Sequence, residues 1–183
     1  MVADSNGPTD RPGVCHDARM TDADPVHIRL ARPNDLAALG RLGGLLVRSH
    51  YAFDAGRFLT PPPDVESGYA HFLGGELDNP DSVVFVAEHR GQVVGYVYAG
   101  LEPPSWKELR EAAGFIHDLV VDESARGRGL AGQLLEAAAA WLGERGAPRI
   151  LLWTAFPNAA AQRVFEKAGF RKTMIEMTRE SAP

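Results

Sequence analysis

The sequence has little of what several classes of protein require. Its 183 residues contain a single cysteine, Cys15, so an internal disulfide and a structural zinc site built on several cysteines are excluded. No window approaches the roughly 18 apolar residues that a membrane-spanning helix needs. The 19 lysines and arginines are outnumbered by 24 acidic residues, a balance that attracts neither nucleic acid nor an anionic membrane. We therefore expect a cytoplasmic protein without nucleic-acid or membrane partners.

The first 26 residues differ in composition from the rest. They contain no aromatic residue, three prolines, and five aspartates against two arginines. Such a segment cannot bury enough apolar surface to offset the entropy lost on ordering. Over the whole chain 45% of residues are hydrophobic and 23% are charged, as in soluble globular domains. We expect a disordered leader over 1–26 and one folded domain over 27–183.

In the first half of that domain, apolar periodicity predicts strands and helices in alternation. Residues 27–32 alternate as a strand, and a proline-initiated helix with a stripe of leucines follows them. A second helix is predicted over 65–77. Two β-branched runs joined at 89–91 form a hairpin, and the polar stretch 102–114 is assigned a short helix.

The second half shows the same alternation more regularly. Residues 115–121 and 149–154 are predicted strands, and a helix with an apolar stripe separates them. Asn158 is positioned to cap the next helix, and Gly169 to end it in the left-handed conformation. A last strand is predicted over 172–178. This order of elements is typical of an α/β domain.

A glycine-rich turn follows the strand 115–121 and opens the next helix. Three glycines, Gly127, Gly129 and Gly132, allow positive φ and close approach of a ligand. The amide groups at the start of the helix, with Arg126 and Arg128, would suit a diphosphate. An exposed turn with solvent-facing arginines explains the same residues equally well.

The same glycines satisfy the dinucleotide fingerprint, which would make the chain an oxidoreductase. The fingerprint requires a glycine directly after the strand and an acidic residue at the end of the following strand. Here, five residues separate the strand from the first glycine, and no carboxylate ends the following strand. A Walker-type phosphate loop fails because no Gly-Lys-Ser/Thr follows. Both departures argue against a nucleotide site of either kind.

Two blocks in the second half carry a resemblance to a known family. Residues 126–131 (RGRGLA) resemble R/Q-x-x-G-x-G/A, the acetyl-CoA motif of the GCN5-related N-acetyltransferases (GNAT). Residues 158–170 (NAAAQRVFEKAGF) resemble that family's N-x-x-A-x-x-x-Y-E-K-x-G-F. The order and spacing of the blocks also fit, over 115–171. The chain is identified by this resemblance as a GNAT member.

The resemblance implies a fold and an activity. The fold would be α/β, with a mixed, mostly antiparallel twisted sheet, a splayed central strand pair and helices on both faces. The activity would be direct transfer of an acetyl group from acetyl-CoA to a primary amine in a ternary complex, without a metal. The amine could belong to a small molecule, an antibiotic, an amino acid or a protein. Homodimerisation is a tendency of the family.

The resemblance also assigns the cofactor contacts. The strand that holds Leu119 and Val121 would pair with the pantetheine arm, and the Val121 N–H would donate to the oxyanion. Asn158 would contact the cofactor, cap its helix, or do both. The implied cofactor-binding set is Leu119, Val120, Val121, Arg126, Gly127, Arg128, Gly129, Leu130, Ala131, Gly132, Asn158 and Phe165.

The candidate general base is His117, where similar family members carry a glutamate. An unperturbed imidazole pKa of about 6.5 suits proton abstraction near neutrality. A strand histidine satisfied by a backbone partner is an equally good interpretation. Strand alternation predicts that the neighbouring Asp118 points to the opposite face, so the two residues are not expected to share a site.

Phe165 departs from the family pattern, which usually has a tyrosine whose hydroxyl protonates the departing thiolate. Phenylalanine cannot donate a proton, so another group or solvent must do so. A thiol pKa of about 8.5 makes the thiolate a tolerable leaving group. Core packing on the apolar face of the helix would itself explain Phe165. The departure motivates one rival function, a catalytically silent acyl-CoA-binding or regulatory domain.

Overall fold

A computed structural model of the chain describes residues 25–181, in which one sheet is covered by helices on both faces. The strands are β1 (His27–Leu30), β2 (Ser82–His89), β3 (Gln92–Glu102), β4 (Ala113–Val121) and β5 (Ile150–Leu152). The helices are α1 (Leu36–Phe53), α2 (Val65–Glu76), α3 (Leu130–Glu144) and α4 (Ala159–Lys167). The disordered leader predicted over 1–26 lies almost entirely outside the described residues.

The sheet has the strand order β1-β2-β3-β4-β5. The first four strands pair antiparallel, and β5 alone runs parallel to its neighbour β4. The predicted mixed, mostly antiparallel sheet is therefore confirmed. Only three residue pairs join β4 to β5, from Gly114 with Ile150 to Ile116 with Leu152. Beyond them β4 continues to Val121 without a partner strand on that side within the described part of the chain, which is the predicted splay.

Alternation along the strands gives the sheet two apolar faces. On one face, Val84, Tyr96 and Val120 pack against the leucines of α1 and α2. On the other face, residues such as Val97 and Ile116 pack under α3, where Phe165 of α4 joins them. The sheet thus forms the middle layer of the fold.

Glycines in α1 bring α2 unusually close. A Cβ atom on Gly43 would lie 2.0 Å from the ring of Tyr69, and one on Gly40 would lie 2.3 Å from the backbone oxygen of Glu66. Real side chains cannot tolerate such distances, so only glycine permits this approach. The close packing carries the Tyr69 side chain past α1 to the sheet.

The helix predicted over 102–114 is wrong. The segment between β3 and β4 is an irregular loop closed by backbone pairing of Ser105 with Arg110. Pro103 and Pro104 lack the N–H groups that a helix needs beyond its first turn. The Arg110 side chain then holds the loop by donating to the backbone oxygen of Pro103 and pairing with Glu102.

The last strand, predicted over 172–178, is also wrong, because the structure assigns no regular element to these residues. Met174, Ile175 and Met177 are all highly exposed. Their spacing puts apolar side chains on both faces of an extended chain, so no single face could be buried.

No helix of the described residues is long and apolar enough to cross a membrane.

Candidate active site

The glycine-rich turn leads from the end of β4 into α3. Gly127 and Gly129 have φ of +80° and +75°, as predicted, and Gly129 is the N-cap of α3. Gly132 is instead an ordinary residue inside α3, so its expected positive φ is wrong; the helix already begins at Leu130. A Cβ on any of the three glycines would meet nothing within 4 Å. The turn therefore borders open space in front of the free N–H groups of α3.

Side chains at the start of this turn hold it in place. Asp122 pairs with Arg41 at 2.6 Å and accepts from the backbone N–H of Ser124. Ala125 is fully buried in the core beneath α3. Arg126 donates from Nε to the Val121 backbone oxygen at 3.3 Å. The guanidinium is thus kept beside the end of β4, at the mouth of the turn.

The unpaired edge of β4 presents backbone groups to the space left by β5. The Asp122 N–H donates to the backbone oxygen of Val94 on β3 at 2.8 Å. Since successive residues of a strand point their amides to opposite sides, the N–H groups of Val121 and Leu119 face the unpaired edge. Val120 instead turns its side chain into the core beneath α1.

His117 is the extra residue of a β-bulge at the point where β4 leaves β5. Tyr98 pairs with Asp118 and Ala99 pairs with Ile116, so His117 has no partner on β3. Such a bulge breaks the alternation of side chains. His117 and Asp118 therefore both lie on the α1 and α2 face of the sheet, and the prediction that they point to opposite faces is wrong.

The imidazole of His117 is held between two rings. It stacks on Tyr98 at a centroid distance of 4.7 Å and on Phe115 at 4.9 Å. Its Nε2 lies 3.5 Å from Oε1 of Glu102, and the side chain is 28% exposed. Burial lowers the pKa of His117, while the carboxylates of Glu102 and Asp118 oppose that shift. The lowered pKa favours the neutral imidazole, which is the form that a general base needs, and the side chain is partly accessible.

Asp118 is a buried carboxylate behind His117. Its Oδ2 accepts hydrogen bonds from Tyr69 at 2.7 Å and from Tyr96 at 3.0 Å. Burial raises the pKa of Asp118, and the two phenolic donors act against that shift. The same burial, with the nearby carboxylate, raises the pKa of Tyr69 and of Tyr96. The cluster links α2, β3 and β4 beneath the imidazole.

Glu102 is fixed by the loop that precedes β4. Arg110, with only 11% of its side chain exposed, pairs with both Glu102 and Glu108. Its guanidinium also lies 6.0 Å from the centroid of the Phe115 ring. Sequence reasoning missed Glu102 and Arg110, and it placed Asp118 on the wrong face of the sheet. The sequence does show an acidic residue, Glu102, at the end of β3. Its pairing with Arg110 could not be predicted, because the loop that holds Arg110 was predicted to be a helix.

Asn158 and Phe165 have structural roles that their positions predicted. Asn158 Oδ1 accepts from the Ala161 N–H at 3.1 Å, which is the N-cap of α4. Phe165 is buried in the core beneath α3, with its ring centroid 6.1 Å from that of Phe170. Gly169 ends the helix with φ of +88°.

Across residues 25–181, no group of three or more histidine, cysteine or acidic side chains is arranged to hold a metal ion.

Known proteins resemble the chain in sequence and in fold. The model of the acetyltransferase (GNAT) family matches residues 47–170. The chain is 30% identical over 150 residues to the uncharacterized N-acetyltransferase YhfO of Bacillus subtilis (strain 168), which covers 80% of this chain and 91% of that protein.

Two solved structures of similar fold contain CoA or acetyl-CoA. Aminoglycoside N-acetyltransferase AAC(6')-Iy in complex with CoA superposes with a TM-score of 0.66 at 20% identity, covering 88% of this chain and 98% of that one. A predicted acetyltransferase with acetyl-CoA from Clostridium acetobutylicum has a TM-score of 0.62 at 22% identity, covering 84% and 96%. At these identities the structural likeness shows the fold.

Proposed function

Because this chain belongs to the acetyltransferase (GNAT) family, we propose that it transfers the acetyl group of acetyl-CoA directly to a primary amine, without an acyl-enzyme. The family, the fold and the N-acetyltransferase class predicted from the sequence are confirmed. One observation carries the finer proposal. The unpaired edge of β4 begins at His117 and ends at the glycine-rich turn, so the candidate base and the candidate anion site lie at its two ends.

Acetyl-CoA would lie along this edge. The pantetheine arm would pair with the backbone of Leu119 and Val121, as an added strand does. The diphosphate would lie over the turn from Arg126 to Gly132, where α3 directs its N–H groups outward. The two CoA-family complexes of similar fold support this proposal. Asn158 and Phe165 would border the cofactor from α4, in addition to their roles in the cap and the core.

The residues of the chain would then act on the acceptor in sequence. His117 would take a proton from the ammonium, which frees the nitrogen lone pair to attack the thioester carbon. The Val121 N–H would donate to the carbonyl oxygen as negative charge develops there. The carbon–sulfur bond breaks as the amide forms, and the sulfur leaves as thiolate. Since Phe165 carries no proton donor, solvent would protonate that thiolate.

The rival with a specific observation in its favour is a silent acyl-CoA-binding domain. The buried phenylalanine at position 165 gives it that support, because a hydroxyl is absent where the family usually has one. Such a domain would bind acetyl-CoA in the same way and release no thiol. The two functions are therefore separated by turnover and not by binding.

Thermal unfolding with and without acetyl-CoA, followed by a free-thiol release assay on a panel of amines, tests the proposal. Ligand at 100 times its dissociation constant should stabilise the fold by about 2.7 kcal/mol. NADH at the same concentration serves as the control and should give no shift. Stabilisation with amine-dependent thiol release supports the transferase. Stabilisation without release on any amine would favour the silent domain, and no stabilisation would contradict both.

A further inference from the structure

Five aromatic rings follow one another across the sheet at the start of the splay. Phe72 of α2 lies 5.6 Å from Tyr98, which stacks on His117. Phe115 follows on the other side of the imidazole, and Trp153, just after β5, lies 5.0 Å from Phe115. These residues are called the aromatic row. The candidate base is its central member.

The two ends of the aromatic row are uncovered, whereas Tyr98 and Phe115, the two rings that stack on His117, are buried. Phe72 is 46% exposed and Trp153 is 71% exposed. Single exposed apolar side chains are common on protein surfaces. Here, however, the two exposed rings end one continuous series of ring contacts that has the imidazole at its centre. The surface beside His117 is therefore apolar on both sides.

Carboxylates lie close to the same imidazole. Glu102 contacts His117, and the carboxylate of Glu76 at the end of α2 is close enough to raise the pKa of both His117 and Tyr98. The guanidinium of Arg110 faces this group as well, but it is paired with both Glu102 and Glu108. Around the imidazole, the carboxylates of Glu102, Glu76 and Asp118 outnumber the single guanidinium of Arg110. A cation placed there would gain Coulomb attraction and contact with ring faces.

We propose that the acceptor is a primary amine carried on an aryl or extended apolar group, bound with its ammonium at His117 and its apolar part against one exposed end of the aromatic row, at Phe72 or at Trp153. This inference rests on the proposed acetyl transfer. The nitrogen forms its bond to the acetyl carbon while the carbon–sulfur bond breaks, and the ammonium proton passes to His117. A polycation without an apolar part would leave both outer rings uncovered and would gain less.

Matched amines test the proposal in the thiol-release assay. 2-Phenylethylamine and hexylamine should exceed ethylamine in kcat/KM by about tenfold or more, because even one methylene in an apolar site gives a factor of this order. Spermidine and an aminoglycoside represent polycations and should fall below the two apolar amines. Every compound carries a primary amine, so the comparison tests the chemical group to which that amine is attached.

Two variants locate the effect on the aromatic row. The variant that removes the ring contacted by the acceptor, Phe72→Ala or Trp153→Ala, should raise the KM for 2-phenylethylamine by about 2- to 10-fold, the usual worth of an aromatic contact, with kcat and the values for ethylamine little changed. Leu30→Ala is the control, because Leu30 is 58% exposed on β1, at the opposite edge of the sheet. Stabilisation by acetyl-CoA checks that each variant is folded.

The outcomes separate this inference from the function on which it rests. Preference for the apolar amines, reduced by at least one of the two variants and not by the control, supports it. Equal or better turnover of polycations, or a KM that neither variant changes, overturns it and leaves acetyl transfer intact. Absence of thiol release with every amine overturns both.

Discussion

His117 and Glu102 meet at 3.5 Å, Nε2 to Oε1, on the face of the sheet that α1 and α2 cover. A bulge in β4 brings the imidazole to this position, and Arg110 holds the carboxylate there. The carboxylate raises the pKa of His117 against the lowering caused by burial. We therefore expect Glu102 to act as a positioning residue, which orients the imidazole and moderates its basicity.

Replacing Glu102 should shift the pH profile of acetyl transfer. Without the carboxylate in Glu102→Gln, burial lowers the pKa of His117 further, so the neutral imidazole persists to lower pH. The acidic limb of log kcat/KM against pH should therefore move to lower pH. Glu108→Gln is the control, because Glu108 pairs with Arg110 and is not among the groups that shift the pKa of His117. A limb that moves to higher pH, or moves equally in the control, would contradict the assignment.

Asp118 should make the stability of the fold depend on pH. Its pKa is raised in the folded state, so its contribution is full below the unfolded pKa of about 3.9 and is lost as pH rises through the folded value. In urea denaturation, the wild-type free energy of unfolding minus that of Asp118→Asn should fall as pH rises from about 4 to 7. A difference that stays constant or rises with pH would mean that burial does not raise the pKa of Asp118.

The close packing of α1 on α2 predicts opposite effects for two glycine substitutions. Gly43→Ala places a methyl group on the Tyr69 ring, and overpacking of this kind costs about 1–3 kcal/mol. Gly68→Ala, inside α2 with nothing within 4 Å of its Cβ position, should stabilise by up to about 1 kcal/mol through helix propensity. Chemical denaturation of the two variants measures both. Equal effects would show that α1 and α2 are not packed as described.

Substitutions of Asn158 separate its cap from its proposed cofactor contact. Asn158→Ala should cost about 1 kcal/mol of stability, because the N-cap acceptor is lost. Asn158→Ser keeps a capping oxygen and should retain the stability. Both variants lose the amide, so both should bind acetyl-CoA about 2- to 10-fold more weakly, the worth of one hydrogen bond. If Asn158→Ser binds acetyl-CoA as tightly as wild type, Asn158 only caps α4 and does not contact the cofactor.

The local features of the sequence predicted most of the fold. The cap at Asn158, the left-handed Gly169, and the positive φ of Gly127 and Gly129 depend on a few neighbouring residues, and all are present. The face of the sheet on which Asp118 lies depends on the bulge in the pairing of β3 with β4, and the sequence of one strand does not show that bulge. The loop before β4 likewise depends on ion pairs of Arg110 that form only in the folded chain.

The most direct test of the account compares wild type with His117→Gln in the thiol-release assay at saturating acetyl-CoA, with acetyl-CoA binding measured in parallel. Removing a general base should lower kcat by about 10²–10⁴-fold while stabilisation by acetyl-CoA stays as in wild type. A variant that releases thiol at the wild-type rate would contradict the assignment of the base. Tight binding of acetyl-CoA by both proteins, with thiol release by neither on any amine, would contradict acetyl transfer itself.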